Sequence, residues 1–272
     1  MRRFLTPKSL IGFAIIVVMM TVAVVAPLVI PASFGTRMQM ALRLRPPSAA
    51  HWLGTDQLGR DLFYRVLLGA RTSLAIAGAS VGISVAFGLP LGIVSGYFGG
   101  WVDLVLMRLV DTLLSFPALL LALTISAMLG PSVPNTIIAI GVAFTPFLAR
   151  IIRGEALRVA RMPYVEAARA AGTSPGWMIV RHVLPNVLPL VIVQGTISLA
   201  FAILAEAGLS FLGLGTQPPQ SSWGLMIQTS RDYLDIAPWT ALVPGAAVAL
   251  TVLALNMFGD VLRDVLDPRA QR

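Results

Sequence analysis

The chain has 272 residues, of which 57% are hydrophobic and only 12% are charged, with a formal net charge of +8. Soluble domains carry about 25% charged residues, so this composition excludes a soluble globular protein and predicts an all-α integral membrane protein. The chain has no cysteine, which excludes disulfides, thiol catalysis and cysteine metal sites, and its two isolated histidines do not predict a metal centre.

The positive charge comes almost entirely from arginine, because Lys8 is the only lysine. Nucleic-acid binding would require these basic residues to cluster on one soluble face. They lie instead at the ends of apolar runs, which favours contact with membrane lipid and no contact with nucleic acid.

The first predicted span is residues 10–30, an apolar run that follows a short basic N-terminus. About 20 apolar residues are enough to cross the hydrocarbon core of a bilayer. The run is too long for a typical signal peptide, and no small-residue cleavage site stands out after it. We therefore interpret it as an uncleaved transmembrane helix.

Five more apolar runs follow along the chain, giving six predicted transmembrane helices in all. They cover approximately residues 72–94, 105–129, 135–152, 187–207 and 239–258. The first of these runs contains glycines that suit close helix packing, at Gly78, Gly82, Gly88 and Gly92. Pro90 is expected to kink that helix, whereas residues 105–129 are expected to form one span with Pro117 inside it.

These boundaries divide the chain into three expected parts. Residues 1–70 contain the first helix and an external segment, residues 71–260 form a five-helix core, and residues 261–272 form a tail. Six spans put both termini on one side, and most of the basic residues lie on that side. The positive-inside rule therefore predicts cytoplasmic termini. The arginine-rich external segment 37–71 departs from this rule, and we interpret it as a structured interfacial element.

The longest polar interruption lies between the fourth and fifth spans, at residues 164–186, and the charge pattern places it in the cytoplasm. Pro163 suits the first position of a helix. Glu166 then falls in the first turn, where the helix dipole favours a carboxylate. The alanines that follow, including Ala167 and Ala168, are the best helix formers.

Gly172 predicts the end of this helix. Ser174 and Pro175 then suit the N-cap and first residue of a second short helix, which is expected to end near Val183. The first helix is too short to be stable alone in water, where about 12–15 residues are needed. It must therefore dock on a partner protein or on the membrane surface.

The chain has no HExxH motif and no Walker-type glycine loop, which are typical of zinc hydrolases and of nucleotide-binding sites. The chain is therefore not predicted to be an enzyme. If it belongs to an ATP-driven machine, another chain must supply the ATPase.

Isolated charges in or near the spans are the next candidates, because a charge within a membrane is costly and often functional. Asp111 is expected to pair with Arg108, three residues earlier on the same helix face. Glu206 has two open interpretations: a carboxylate at the mouth of a translocation cavity that attracts a substrate ammonium, or a helix-end residue that reaches lipid headgroups. Asp232 and Asp235 suit a solvated loop, or a contact with a binding protein or substrate.

The polar loop resembles the EAA motif of ABC-importer permeases, through Glu166-Ala167-Ala168, Gly172, Ile179 and Leu184-Pro185. Further motifs resemble the second permease subunit of dipeptide and oligopeptide importers. They are HWLGTDQLGRD at residues 51–61, GARTSL at 69–74, GYFGGWVD at 96–103, MRLVD at 107–111, LAEAGLSFLGLGTQPP at 204–219 and GDVLRDVLDPR at 259–269. The resemblance covers about residues 46–269.

The resemblance implies a type I ABC importer permease fold in the bacterial inner membrane, with a cytoplasmic coupling loop at about residues 153–185. It implies these partners: a homologous second permease, two ATPase subunits that use ATP and Mg, an extracytoplasmic binding protein, and a peptide substrate. It implies no cofactor bound by this chain. The residues implied in ATPase coupling are Glu166, Ala167, Ala168, Arg169, Gly172, Leu184 and Pro185.

Nickel permeases are similar over most of these motifs, so the same machine importing nickel or another small solute is an alternative. The intact segments 166–168 and 184–186 are more similar to peptide permeases, and the chain offers no obvious nickel ligands. A self-sufficient secondary transporter or channel is the alternative from another class. It would need inverted repeats and a mid-bilayer ion site, and the sequence shows neither.

Overall fold

The structure is a computed structural model that describes residues 7–266. Arg2, Arg3 and the predicted tail beyond residue 266 lie outside the described residues. Within residues 7–266 the regular elements are all helices, as predicted. The long ones are α1 Pro7–Val29, α3 Leu62–Phe98, α6 Val133–Ala160, α9 Leu184–Phe211 and α11 Trp239–Leu266. Shorter helices connect them: α2 Ala32–Thr36, α4 Gly100–Leu114, α5 Ala118–Leu129, α7 Pro163–Ala170, α8 Pro175–Met178 and α10 Trp223–Ser230.

The prediction of one continuous span over residues 105–129 is wrong. The structure has two helices there, α4 and α5, which are bent by 84° at a short break. Pro117 lies at the break, has no backbone N–H, and disfavours helical geometry for Phe116 before it. Five helical segments are long and apolar enough to cross a membrane, and six spans result if this bent pair crosses as one.

The sequence predicts that the second short helix ends near Val183 and that the fifth span begins at about residue 187. This prediction of two separate helices is also wrong. A π-helical turn, Ile179–Val183, joins α8 directly to α9, so that residues 175–211 form one helical segment. In this turn the Leu184 N–H donates to the Ile179 carbonyl, five residues earlier. The wider turn comes just before Pro185, whose ring and missing N–H disrupt regular α-helical hydrogen bonding.

Close packing between α3 and α6 forms the centre of the bundle. Gly88, Gly92 and Gly96 lie one turn apart on α3, and a Cβ at Gly92 would lie 2.7 Å from a backbone carbonyl of α6. Glycine allows this approach because it has no side chain. The packing prediction is therefore confirmed at Gly88 and Gly92, whereas an added Cβ at Gly78 or Gly82 would meet no atom of this chain within 4 Å.

α1 lies on the outside of the bundle, against α3 and α11. Gly12 sits against Met257, and the Phe13 and Phe258 rings pack with their centroids 5.9 Å apart. The outer face of α1 carries exposed apolar side chains, including Val24 and Leu28. An apolar face of this kind suits contact with lipid.

The bundle has two ends that differ in construction. At one end, the α7 end, lie α7, the turn at residues 99–100 and the first residues of α1. At the other, the α10 end, lie α2, α10, residues 37–61 and the loop after α9. The arginine-rich segment is ordered at this end, as expected: the Arg43 guanidinium lies 5.3 Å from the Tyr233 ring centroid.

Candidate functional site

One face of α7 packs against an apolar cluster of the bundle, which we call the apolar seat. Its Val165 side chain is fully buried. The cluster around Val165 includes Ile152, Ala156 and Val159 of α6, Met178 of α8 and Val183 of the π-helical turn, and it extends to α3 and α9. Ala168, one turn further on, packs against the same cluster. The bundle itself therefore supplies the docking surface that so short a helix needs.

The opposite face of α7 is exposed. It carries Glu166, Ala167, Arg169 and Ala170, and the helix begins at Pro163 as predicted. Glu166 lies in the first turn and Arg169 in the last, so each charge suits the nearer end of the helix dipole. The result is a small surface of alanines with one acid and one base, which another protein can approach closely.

Ring contacts connect α7 to two long helices. The Arg169 guanidinium lies 5.5 Å from the centroid of the Tyr97 ring, at the end of α3. The centroids of the Tyr164 and His182 rings lie 6.1 Å apart. The Asn186 side-chain amide donates to the Tyr164 hydroxyl at 3.2 Å. α7 is therefore in contact with the end of α3 and with the start of α9.

Gly172 ends the helix through its backbone conformation. Its φ is +84°, in the left-handed region that side chains disfavour. The Gly172 N–H donates to the Arg169 carbonyl and the Thr173 N–H to the Ala168 carbonyl, which is the Schellman pattern at a helix end. A Cβ at residue 172 would meet no atom within 4 Å, so the position requires glycine for its φ and not for space.

Leu184 and Pro185 follow the π-helical turn. Leu184 is half-buried against the cluster that seats α7. Pro185 is exposed and lines an open cavity of about 460 Å³, together with Arg158 of α6 and Arg263 of α11. Both residues thus lie at the α7 end, although neither belongs to α7.

Ion pairs near the α7 end connect α4 to α6. Arg153 donates two hydrogen bonds to Asp103, which also accepts one from the Ser95 hydroxyl. Arg150 pairs with Asp111. The predicted Asp111–Arg108 pair is therefore wrong, because the partner comes from the neighbouring helix α6. Sequence analysis missed the Asp103–Arg153 pair, since 50 residues separate the two side chains and no local spacing indicates their contact.

Glu206 lies near the end of α9 and is fully buried. Its carboxylate accepts hydrogen bonds from the Ser210 hydroxyl at 2.8 Å and from the Ser73 hydroxyl of α3 at 3.3 Å. Ser73 in turn accepts from the backbone N–H of Trp223, the first residue of α10, at 3.1 Å. In this structure Glu206 therefore lies neither at an open cavity mouth nor among headgroups, the two positions that the sequence left open.

Asp232 and Asp235 are both exposed, in the segment between α10 and α11. They lie at the α10 end, close to Tyr233 and its contact with Arg43. Within residues 7–266 the structure shows no group of three or more His, Cys, Asp or Glu side chains arranged to hold a metal ion.

Comparison with known proteins adds independent information. The sequence profile of the family described as binding-protein-dependent transport system inner membrane component matches residues 88–272. The chain is 42% identical to the dipeptide transport system permease protein DppC of Alkalihalophilus pseudofirmus, over 96% of this chain and 86% of that protein. It is also 42% identical to the probable D,D-dipeptide transport system permease protein DdpC of Escherichia coli K12, over 97% and 89%.

A third relative is the glutathione transport system permease protein GsiD of Pectobacterium atrosepticum, which is 43% identical over 82% of this chain and 74% of that protein. Among solved structures, an inward-facing MetNI methionine ABC transporter superposes with a TM-score of 0.61 at 18% identity. That superposition covers 76% of this chain and 98% of the other, and it shows a shared fold.

Proposed function

The chain belongs to the family of binding-protein-dependent transport system inner membrane components, and from this membership we propose how it works. It is an ABC transporter permease with the type I importer fold. We propose that it forms half of the translocation pathway for dipeptides or oligopeptides. We further propose that it couples this pathway to a separate cytoplasmic ATPase through α7.

The construction of α7 supports the proposed coupling. Val165 anchors one face in the bundle, while Glu166, Ala167 and Ala170 leave the other face open to a partner. In the proposed mechanism, the ATPase binds the exposed face of α7. Glu166 holds the helix on the ATPase by hydrogen bonds or an ion pair. Movement of α7 then carries α3 and α9 through the Tyr97 and Tyr164 contacts. Such a switch needs the ATPase to bind the two states of the permease with different affinity.

The remaining coupling residues have supporting roles in this proposal. Ala168 and Leu184 pack into the seat, Arg169 stacks on Tyr97, and Gly172 sets the sharp turn after α7. Pro185 lines an open cavity at the α7 end, and we propose that an ATPase bound to α7 also contacts this residue. We propose that none of these residues performs chemistry, because ATP and Mg bind to the partner ATPase subunits.

The proposed assembly contains this chain, a homologous second permease, two ATPase subunits and an extracytoplasmic binding protein. It places both termini and α7 in the cytoplasm, which the arginine distribution supports. Asp232 and Asp235 then face outward, exposed and available to the binding protein. We propose that Glu206 supports the same end from inside, because the Ser73 hydroxyl donates to Glu206 and accepts the backbone N–H at the start of α10.

Peptide cargo is supported by the names of the relatives, which specify dipeptide, D,D-dipeptide and glutathione transport. The relatives are 42–43% identical to this chain, and two of them are matched over nearly its whole length. Cargo selection is proposed to reside mainly in the binding protein, so that the permease passes what the binding protein delivers.

The test is a tagged purification from native membranes followed by an ATPase assay. We expect ATPase chains and a second permease to co-purify, and we expect dipeptide-loaded binding protein to stimulate ATP hydrolysis. Stimulation only by another solute would contradict the peptide cargo but not the coupling. A chain that purifies alone and transports unaided would contradict the coupling proposal itself.

A further inference from the structure

A buried charge at the α10 end is left without full compensation. Arg60 and Arg65 share one carboxylate, that of Asp56, at 2.7 Å and 3.4 Å, and the three side chains are only 3–8% exposed. Asp56 also accepts the backbone N–H groups of Leu58 and Arg60. Two cations and one anion leave a net positive charge, and an uncompensated buried charge is strongly destabilising.

Arg65 also borders a cavity of about 520 Å³ between the end of α1 and the start of α3. Arg71, which is exposed, lines the same cavity, so two arginines border one space. The lining residues that the structure describes include no carboxylate, although they include the polar side chains of Gln220 and Ser221. The cavity is therefore suited to an anion.

The rest of the cavity is apolar and opens beside the lipid-facing helix. Its apolar lining residues are Pro27, Ile30, Leu68, Ala75 and Val133. Leu28 and Val29 of α1, beside Pro27 and Ile30, are 81% and 70% exposed. Arg71 stands where the apolar run of α3 begins, which is the depth at which headgroups meet the hydrocarbon core.

We propose that this cavity binds an anionic phospholipid. The phosphate lies between Arg65 and Arg71, where guanidinium groups bind phosphate oxygens by charge-assisted hydrogen bonds. One acyl chain follows the apolar lining past Leu68 and Ala75. The bound lipid supplies the negative charge that Asp56 alone does not. It also gives Arg65 and Arg71 a role in a segment where the positive-inside rule disfavours arginine.

The test compares the purified complex in nanodiscs of phosphatidylcholine alone and in nanodiscs that also contain phosphatidylglycerol. We expect phosphatidylglycerol to raise the midpoint of thermal unfolding, and native mass spectrometry to detect a phospholipid retained on the chain. Arg71→Gln is expected to remove more than half of the thermal shift and the retained lipid. Arg45→Gln, which changes an exposed arginine of the same segment outside the cavity, is expected to preserve both.

A second variant separates lipid binding from charge. Ala75→Trp fills the apolar part of the cavity without changing its charge, and we expect it to remove the retained lipid as well. Equal behaviour of Arg71→Gln and Arg45→Gln would overturn the proposal. So would a full thermal shift produced by inorganic phosphate in phosphatidylcholine nanodiscs, because the occupant would then be a free anion and not a lipid.

Discussion

The short helices at the two ends of the bundle, α7 and α10, are held in place differently. At the α7 end, α7 rests on an apolar seat through Val165, and ring contacts at the surface steady it. At the α10 end, α10 buries apolar side chains too, but buried hydrogen bonds also hold it: the Trp223 indole donates to the Val66 carbonyl at 3.0 Å, and the Trp223 N–H donates to Ser73. Glu206 and Ser210 extend this buried network into α9.

This difference bears on how each end can work. Apolar contacts have no fixed direction, so α7 can tilt in its seat while Val165 stays buried. Buried hydrogen bonds are directional and costly to leave unmade, so they oppose movement of α10 relative to α3 and α9. This difference supports the proposal that α7 moves with an ATPase while the α10 end presents a fixed surface.

The largest expected effect lies at the exposed face of α7. Glu166→Arg reverses the charge in the first turn, where it opposes the helix dipole and places a cation against the proposed ATPase. We expect loss of ATP-coupled uptake with the membrane helices still folded, measured by peptide uptake and by thermal unfolding of the purified chain.

The matched control for this variant is Asp264→Arg. Asp264 is an exposed acid at the same end of the bundle but lies on α11, outside the α7 surface. We expect it to retain uptake. Uptake at the normal rate by Glu166→Arg, or equal loss by both variants, would contradict the proposed role of α7.

The next largest effect is expected at the buried hydrogen bonds of the α10 end. Glu206→Ala removes the acceptor of the Ser73 and Ser210 hydroxyls, and leaving buried polar groups unpaired costs about 1–3 kcal/mol. We expect a lower unfolding midpoint and faster proteolysis in the loop at residues 212–222. Glu206→Gln keeps an acceptor oxygen and is expected to have a smaller effect on both measurements.

The unfolding midpoint and the rate of proteolysis distinguish two roles of Glu206, support of the loop at residues 212–222 and contact with the transported peptide. If Glu206→Ala left stability and proteolysis unchanged while uptake fell, the carboxylate would contact the substrate directly. The contrast between the two ends of the bundle would then fail, because the α10 end would contain a working part.

The sequence predicts the local features of this molecule well. Apolar runs of sufficient length identify the long helices, and Pro163, Glu166 and Gly172 correctly mark the limits and polarity of α7. These features depend on residues that are close in sequence, which hydropathy and capping preferences describe. Element ends are less well predicted, because α3 begins ten residues before its apolar run.

Features that depend on distant residues escaped prediction. Ser73 and Glu206 are 133 residues apart, and Asp103 and Arg153 are 50 residues apart, so no periodicity links them. The presence of a bend at Pro117 could be predicted, because proline inside a span is a known site of kinks. The sequence does not give the angle of the bend. Which carboxylate pairs with which arginine depends on the packing of helices, as the Arg150–Asp111 pair shows.

A smaller effect is expected at the turn after α7. Gly172→Ala forces a side chain into the left-handed region, at a cost of about 1–2 kcal/mol. Because the space around residue 172 is open, we expect the chain to fold and the turn to shift, lowering uptake several-fold. Gly176→Ala is the control, since that glycine also faces open space but has no positive φ. Equal uptake by the two variants would show that the turn geometry is unimportant.

The smallest expected effect tests the link between α7 and α3. Arg169→Gln removes the cation from the Tyr97 ring, and an exposed contact of this kind contributes about 0.5–1 kcal/mol. We expect a modest fall in the uptake obtained per ATP hydrolysed, with unchanged ATPase binding, because α7 stays in its seat but transmits less of its movement. Arg161→Gln, an exposed arginine just before α7, is the control. If Tyr97→Leu, which keeps an apolar surface but no ring, reproduces Arg169→Gln, the two residues act together. Full coupling in both variants would leave the apolar seat alone as the route by which α7 moves the bundle.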